Sequence, residues 1–288
     1  MKLDLHVHTD CSDGDEDWKT VLQKAEAFGL EYLSITDHNS VDVYFQIKEP
    51  KKYFHGKIIT GTELRCLFGG QIIEFLGYEI DAKKMKELIA SVYPPEEEVK
   101  NIQFKSFHEA LIKNGIKFDP DVYETWDRVK HVYPVRHLHL NMKKFPQNQA
   151  ILNDEDAWSD CSVLYRKHLT NSKSRFYGDE SCYIPSASKI CNIIRQTGGK
   201  IFVAHPFMYG NNAKDILKKI IKECDIDGVE CFYTTFTKNE SKYLVDFCKE
   251  NNLLISAGSD YHGVWRKGFN LGMDKHLFGE LITWCGKI

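Results

Sequence analysis

The chain has 288 residues, 42% of them hydrophobic and 27% charged, the balance of a soluble globular protein with room for one large domain or two small ones. Lys+Arg 38 against Asp+Glu 41 gives a formal net charge of −3, so no global basic field advertises a partner of long nucleic acid. No apolar run reaches the length of a membrane span, and nine scattered cysteines without a C-x-x-C pair are read as reduced, core-filling thiols rather than a disulfide framework.

At the N-terminus Leu3, Leu5 and Val7 alternate with Asp4, His6 and His8. This is the period-2 pattern of a strand, and it puts His6 and His8 on one face near the strand's C-terminal end. Two imidazoles so placed can reach one metal ion; taken alone, the pair reads better as two polar residues on a solvent face. Asp13-Gly14 turns the chain and lets Asp13 offer a carboxylate to a neighbouring ion. The strand follows Met1 so closely that no signal peptide is expected before it, and a cytoplasmic location is expected.

A helix is predicted from Glu16 to Phe28, with Val21, Leu22, Ala25 and Phe28 at helical spacing and Gly29 closing it. Tyr32 to Ile35 reads as a short strand running into Asp37-His38, with His38 the candidate ligand. Ile58 to Leu64 is a third strand and carries Glu63; Ile72 to Tyr78 is a fourth and contains Glu74. Polar residues thus collect at strand C-terminal ends, where barrels and doubly wound sheets place their active sites.

Residues 86–181 break the pattern. Pro94-Pro95, three successive glutamates and an amphipathic helix around Ile102 to Lys113 read as an inserted helical subdomain. It carries the basic residues Arg136, His137 and Arg175. Strand-helix alternation returns with a helix Ser188 to Gln196, a strand Lys200 to Ala204 ending at His205, and a helix Ala213 to Glu223. A strand Gly228 to Phe232 containing Glu230 follows, then a helix Asn239 to Asn251, a strand Leu253 to Ala257, and Asp260 and His262 beyond it.

Singly, each polar strand end has an ordinary explanation such as a turn former. Together His6, His8, Asp13, His38, Glu63, His205, Asp260 and His262 are all metal-ligand types at strand ends, which points to a multinuclear metal site. Imidazole and carboxylate ligands without thiolate suit zinc, manganese or iron and argue against a structural cysteine–zinc knot.

The segments D-L-H-V-H-T-D-C-S-D-G, I-T-D-H-N, G-T-E-L, A-H-P and G-S-D-Y-H-G resemble, in order, the motifs of the polymerase and histidinol phosphatase (PHP) superfamily of metal-dependent phosphoesterases. The nearest subgroup it resembles is the stand-alone phosphoesterases that act on nucleotides or short RNA ends. The resemblance implies an α/β fold: a distorted (β/α)7 TIM-like barrel built from residues 1–85 and 182–288, with residues 86–181 inserted as a mainly helical subdomain covering the barrel mouth. It implies a first ion held by His6, His8, Glu63 and Asp260 and a second held by Asp13, His38 and His262. A third ion is implied on Glu63, His205 and the residue at position 74. The family usually has histidine in that place, whereas this chain has Glu74-Phe75-Leu76-Gly77.

The expected chemistry is hydrolysis of a phosphate ester, a small phosphomonoester or a nucleotide, by a metal-activated hydroxide. Glu63, His205 and Asp260 are the expected catalytic residues, with His205 or Asp260 able to shuttle a proton. Arg136, His137, Arg175 or Arg266 is expected on phosphate, arginine being suited by its planar fork of donors. Two other readings stand beside it: a 5′-to-3′ exonuclease on short RNA or DNA ends, and a metal-binding regulatory module without turnover. Two or three divalent ions are expected, manganese, iron or zinc, with magnesium possible. Asp13, Glu63, Glu74 and Asp260 neutralise two divalent ions, and only a third leaves a surplus for a phosphate dianion. No membrane and no stable protein partner are expected.

Overall fold

The computed structural model describes residues 2–128, 133–210, 212–264, 266, 268–274 and 281–286. The chain forms two compact units: Met1–Phe68, Ile73–Val92 and Pro185–Ile288 make up one, and Gly69–Ile72 with Tyr93–Ile184 the other.

The first unit is built on strands β1 (Lys2–Val7), β2 (Tyr32–Ile35), β3 (Lys57–Phe68), β4 (Gln71–Tyr78), β5 (Lys200–Val203), β6 (Gly228–Tyr233) and β7 (Leu254–Gly258), with a short β8 (Met273–Asp274). They lie in the order β7-β6-β5-β4-β3-β2-β1-β8. The sheet curls until its ends meet: His8 donates its backbone N–H to the Tyr261 carbonyl at 2.8 Å, and Asp260 donates to the His6 carbonyl at 2.8 Å. The result is a nearly closed seven-strand barrel with helices around it.

The barrel is distorted at β4. β1, β2 and β3 pair in parallel, as do β5, β6 and β7, but β4 runs antiparallel to β5, with Phe75 opposite Val203 and Tyr78 opposite Lys200. The turn before β4 is made by Gly69 and Gly70 at φ 57° and 78°, a backbone region that glycine enters without a Cβ penalty. β4 therefore starts at the end of the barrel where its parallel neighbours finish. Glu74, in its first half, reaches the same end as His38 and His205, although it does not close a strand. β3 is also longer than the Ile58–Leu64 predicted, so Glu63 lies inside a strand and not at its end.

Helix boundaries follow their capping chemistry. Helix α1 (Trp18–Phe28) begins two residues later than expected because the Asp17 side chain accepts from Thr20 N, and it ends at Gly29 in the left-handed conformation. Helices α2 (Ala82–Val92) and α3 (Glu96–Lys113) follow; α3 starts earlier than the amphipathic pattern suggested, with Pro95 before it and Glu96, Glu97 and Glu98 in its first turn, where negative charge complements the helix dipole. After helix α4 (Pro134–Met142), the barrel helices are α5 (Ala187–Gln196), capped by Ser186, α6 (Ala213–Glu223), and α7 (Lys238–Glu250), which opens with a Thr237/Glu240 capping box.

Each unit has its own core. Leu5, Phe75, Tyr78, Phe202 and Ile255 are buried in the barrel unit, where the Tyr78 hydroxyl donates to the Leu5 carbonyl at 2.8 Å. Phe104, Phe107, Leu111, Trp126, Leu138, Met142 and Phe176 form the core of the other. Among the described residues no helix is long and apolar enough to cross a membrane.

Candidate metal centre

The period-2 pattern of β1 sends both His6 and His8 into the barrel end, and their Nε2 atoms lie 3.1 Å apart. Glu63 arrives from β3. Its Oε2 is 3.1 Å from His6 Nε2, 3.3 Å from His8 Nε2 and 3.1 Å from His38 Nδ1. Asp260, just beyond β7, places Oδ1 3.3 Å from His8 Nε2 and 3.6 Å from His6 Nε2. Asp13 Oδ1 stands 3.1 Å from His262 Nε2, and Asp13 Oδ2 3.8 Å from His38 Nε2. On the other side His205 Nε2 is 2.9 Å from Glu63 Oε1 and 3.3 Å from Glu74 Oε2.

Three overlapping groups each bring one ligand atom per residue within 4.8 Å of the others: His6, His8, Glu63 and Asp260; His8, Asp13, His38 and His262; and His38, Glu63 and Glu74. His8 joins the second group as well as the first. The third group holds His38 where the resemblance implied His205, although His205 touches both of its carboxylates.

The donor set fits divalent cations. Glu63 Oε2 and His38 Nδ1, 3.1 Å apart, are buried without hydrogen bonds, a costly state for lone pairs unless a cation sits between them. Nitrogen and carboxylate oxygen without sulfur match borderline and hard divalent ions.

Electrostatics agree. Burial alone would suppress the charge on His6 and His8, yet the facing carboxylates outweigh it: His6 is raised well above its ordinary range and His8 to about 10. Burial also opposes charge on Glu63, Asp260 and Asp13, and neighbouring cationic groups hold all three below the usual carboxylate range; the Arg266 guanidinium leads for Asp260 and His262 for Asp13. His262 goes the other way, lowered to about 4 by burial despite Asp13. The site concentrates buried negative charge that favours any cation, proton or metal.

A further layer orients these groups. Glu230 Oε1 lies 3.0 Å from His6 Nδ1, and the neighbouring Oε2 accepts from the His205 backbone N–H at 2.8 Å. Asp4 accepts from Ser259 N at 2.9 Å and Gly272 N at 2.7 Å, and burial pushes its carboxyl up to about 6. Asp37 accepts from Thr9 N and Thr9 Oγ1, each at 2.7 Å, and from Ser12 Oγ at 2.6 Å, tying down the loop between His8 and Asp13. The sequence reading gave none of the three a role. Glu230 is an acidic residue inside the otherwise apolar predicted strand Gly228 to Phe232, a usable signal; Asp4 and Asp37 look like ordinary polar neighbours of His6 and His38. His205 and Asp260 sit at φ 24° and 57°, a region non-glycine residues occupy at a cost and often at functional sites.

The basic residues expected on phosphate are placed differently from one another. Arg266 is buried against the metal cluster: it donates to Asp260 Oδ2 at 2.7 Å and lies 3.9 Å over the Phe269 ring. The Tyr233 hydroxyl shares that carboxylate oxygen at 2.6 Å. His137, within α4, is buried in the helical unit, where Nε2 donates to the Val122 carbonyl at 2.8 Å. Arg136 on α4 and Arg175 are exposed, and the Arg175 guanidinium donates to the Ile151 carbonyl and covers Phe176. A groove of about 650 Å³ lined by Leu30, Pro50, Phe54 and His55 lies at the opposite, N-terminal ends of β2 and β3, away from this chemistry.

Comparison with known proteins agrees with this architecture. The family model described as PHP domain matches residues 4–133. The 5′-3′ exoribonuclease of Haemophilus influenzae is 27% identical over 270 residues, which are 91% of this chain and 90% of the relative. The 3′,5′-nucleoside bisphosphate phosphatase of Chromobacterium violaceum is 21% identical over 282 residues, 96% of this chain and 92% of the relative. In fold, the chain matches a crystal structure from Bifidobacterium adolescentis, assigned as a metal-dependent phosphoesterase, with a TM-score of 0.68 at 19% identity, covering 99% of this chain and 98% of the other. Residues 4–133 thus match the PHP domain, and along more than nine-tenths of its length the chain is similar to enzymes that cleave phosphate esters.

Proposed function

We propose that the chain hydrolyses a phosphate ester of a nucleotide or of a short nucleic-acid end, at the cluster centred on Glu63. The observation that carries this is the convergence of His6, His8, Asp13, His38, Glu63, Glu74, Asp260 and His262 into three overlapping ligand groups, two of which share Glu63. The names of the Haemophilus and Chromobacterium relatives favour a nucleotide-bearing substrate over other phosphomonoesters.

In this reading His6, His8, Glu63 and Asp260 hold one divalent ion, and Asp13, His38 and His262, with His8, hold a second. Glu63 and Glu74 hold a third, with His38 or His205. Manganese, iron or zinc suit these ligands, and magnesium is the harder alternative. Such ions supply a hydroxide nucleophile near neutral pH and offset charge on the phosphoryl oxygens. The chain's own residues do the rest. Glu63 keeps neighbouring sites together through its two oxygens. His205 Nε2, hydrogen-bonded to Glu63 Oε1, is placed to hold or pass a proton. Asp260 presents Oδ1 to the histidines while Arg266 and Tyr233 occupy Oδ2.

Arg266 and His137 are not kept as phosphate contacts, because each is buried and committed to a partner of its own. Arg136 and Arg175, exposed on the helical unit, remain the proposed phosphate cations of the inserted segment. Cys66, Cys231 and Cys248 are buried free thiols, which suits a reducing compartment, and the cytoplasm is the proposed location.

The test is a screen of nucleoside mono- and bisphosphates, ribose phosphates and short 5′-phosphorylated oligonucleotides with manganese-loaded protein, repeated with Arg136→Ala. Turnover of at least one nucleotide-bearing substrate, lost on chelation and with a raised KM in the variant, is expected. No turnover of any nucleotide-bearing substrate would overturn the reading.

A further inference from the structure

In the barrel unit the ladder between β4 and β5 ends on an irregular rung beside the metal cluster. Phe75 stands opposite Val203, so the next pair out is Glu74 and Ala204. Opposed residues of a hydrogen-bonded antiparallel pair exchange two N–H···O bonds. One is made: Ala204 N donates to the Glu74 carbonyl at 3.1 Å. In place of the other, the Tyr209 hydroxyl stands between the two backbones. It accepts from Glu74 N at 3.0 Å and donates to the Ala204 carbonyl at 2.8 Å. The Glu74 carbonyl, 3.2 Å away, is the longer alternative for its single proton. Tyr209 comes from the short helical turn Pro206–Tyr209 that follows His205. Its half-buried ring meets the His205 ring edge to face, with centroids 5.8 Å apart.

We propose that Tyr209 is a positioning residue of the metal centre: its hydroxyl, inserted in the last rung between β4 and β5, sets the spacing of Glu74 and His205 and so the fit of the ion on that side of the cluster. The proposal rests on the ligand assignment made above and adds the residue that controls it. The rung lies where the two side chains face one another, with Glu74 Oε2 3.3 Å from His205 Nε2. A direct bond would bring Glu74 N to about 2.9 Å from the Ala204 carbonyl, whereas a bridging hydroxyl satisfies both groups at a wider separation. A hydroxyl whose only task was to satisfy two backbone groups would be redundant here, because the strands could satisfy each other. What it adds is the gap. His205 leaves the strand path at the same point: its φ is 24°, and its N–H goes to Glu230 Oε2 at 2.8 Å, a side chain rather than a strand carbonyl. Glu230 and the Tyr209 ring thus hold His205 from two sides, while the Tyr209 hydroxyl holds the backbone of Glu74.

The experiment compares Tyr209→Phe with the parent. Phenylalanine keeps the ring against His205 and lets the rung close directly, so the metal-free variant is expected to melt with the parent. Calorimetric titration of manganese into metal-free protein is expected to show one ion bound about 10- to 100-fold more weakly, the usual cost of losing a group that orients a ligand, and the others bound as in the parent. Glu74→Gln and the double variant locate the effect: if Tyr209 acts through Glu74, adding Tyr209→Phe to Glu74→Gln weakens binding no further. An isotherm equal to the parent's, or equal weakening of every ion, would overturn the proposal. So would a variant too unstable to titrate, which would make the hydroxyl a packing group. Selective weakening of one ion in a protein that hydrolyses no phosphate ester would leave Tyr209 in its role and remove the phosphoesterase reading. Turnover of a nucleotide-bearing substrate, with metal binding by Tyr209→Phe equal to the parent's, would do the reverse.

Discussion

Glu230 Oε1 stands 3.0 Å from His6 Nδ1, joining β6 to β1 across 224 positions of sequence. A carboxylate behind a metal-binding imidazole sets its tautomer and aims its other nitrogen at the ion. Glu230 also takes the backbone N–H of His205, so one carboxylate holds two members of the cluster. Glu230→Ala is expected to weaken manganese affinity by about 10- to 100-fold, with Glu230→Gln intermediate because its amide oxygen still accepts one bond. Calorimetric titration of metal into apo protein reads this directly; equal affinity in all three proteins would refute the orienting role.

Removing the ions leaves buried lone pairs facing one another around Glu63. Chelation is therefore expected to abolish turnover and lower Tm, both restored by adding metal back, since a ligand of the folded state stabilises it by mass action. His6→Ala should lose most turnover and bound metal while the far-ultraviolet circular dichroism stays that of the parent. Full turnover in this variant would remove His6 from the site.

Glu74 stands where the family resemblance leads one to expect histidine, and its carboxylate faces inward, 3.3 Å from His205 Nε2. Three ions are expected in a metal-replete crystal, with a Glu74 oxygen about 2.0–2.2 Å from the third. Anomalous scattering counts them. Two ions, with Glu74 turned away from His205, would show that the substitution had cost the chain that site.

Gly258 ends β7 directly against β1. A Cβ there would lie 2.2 Å from His6 Cβ and 2.8 Å from His6 N, and a strand backbone cannot step aside as a flexible side chain does. Gly258→Ala is expected to destabilise the fold by about 1–3 kcal/mol, the usual range for overpacking, and to weaken metal binding through displaced His6. Urea denaturation measures the first effect, and an unchanged midpoint would mean that β1 and β7 have slack here.

In the helical unit Asp154 accepts from Ala157 N at the start of the Glu155–Ser159 helix and pairs with Lys167 and His168. Partial burial opposes its charge, but these partners, Lys167 foremost, hold its pKa at about 2. Because the folded value is depressed, the contribution is present above the unfolded carboxylate pKa and is lost as pH falls toward 2. Asp154→Ala should cost about 1 kcal/mol at neutral pH, as loss of a helix cap does. The gap to the parent should close between about pH 4 and pH 2; a gap that persists through that window would assign the cost to packing instead.

Much of this protein is local chemistry written along the chain. The alternation around His6 and His8, the strand endings at His38 and His205, and the helix stops and caps at Gly29 and Ser186 depend on near neighbours, and periodicity exposes them. The positions of Asp13, Asp260 and His262 were legible for the same reason, as polar residues following apolar strands or turns. What tertiary structure alone decided is which groups face which. The antiparallel run of β4 brings Glu74 to the mouth from the first half of its strand, contrary to the strand-end rule. The pairing of Arg266 with Asp260 turns an expected phosphate contact into a buried partner of a ligand. Glu230, Asp4 and Asp37 acquire roles only when β6, the segment after β7 and the segment after β2 close against β1 and its loop. Those contacts join residues far apart in sequence, and periodicity, which reports one element's own faces, carries no information about the partner across the barrel.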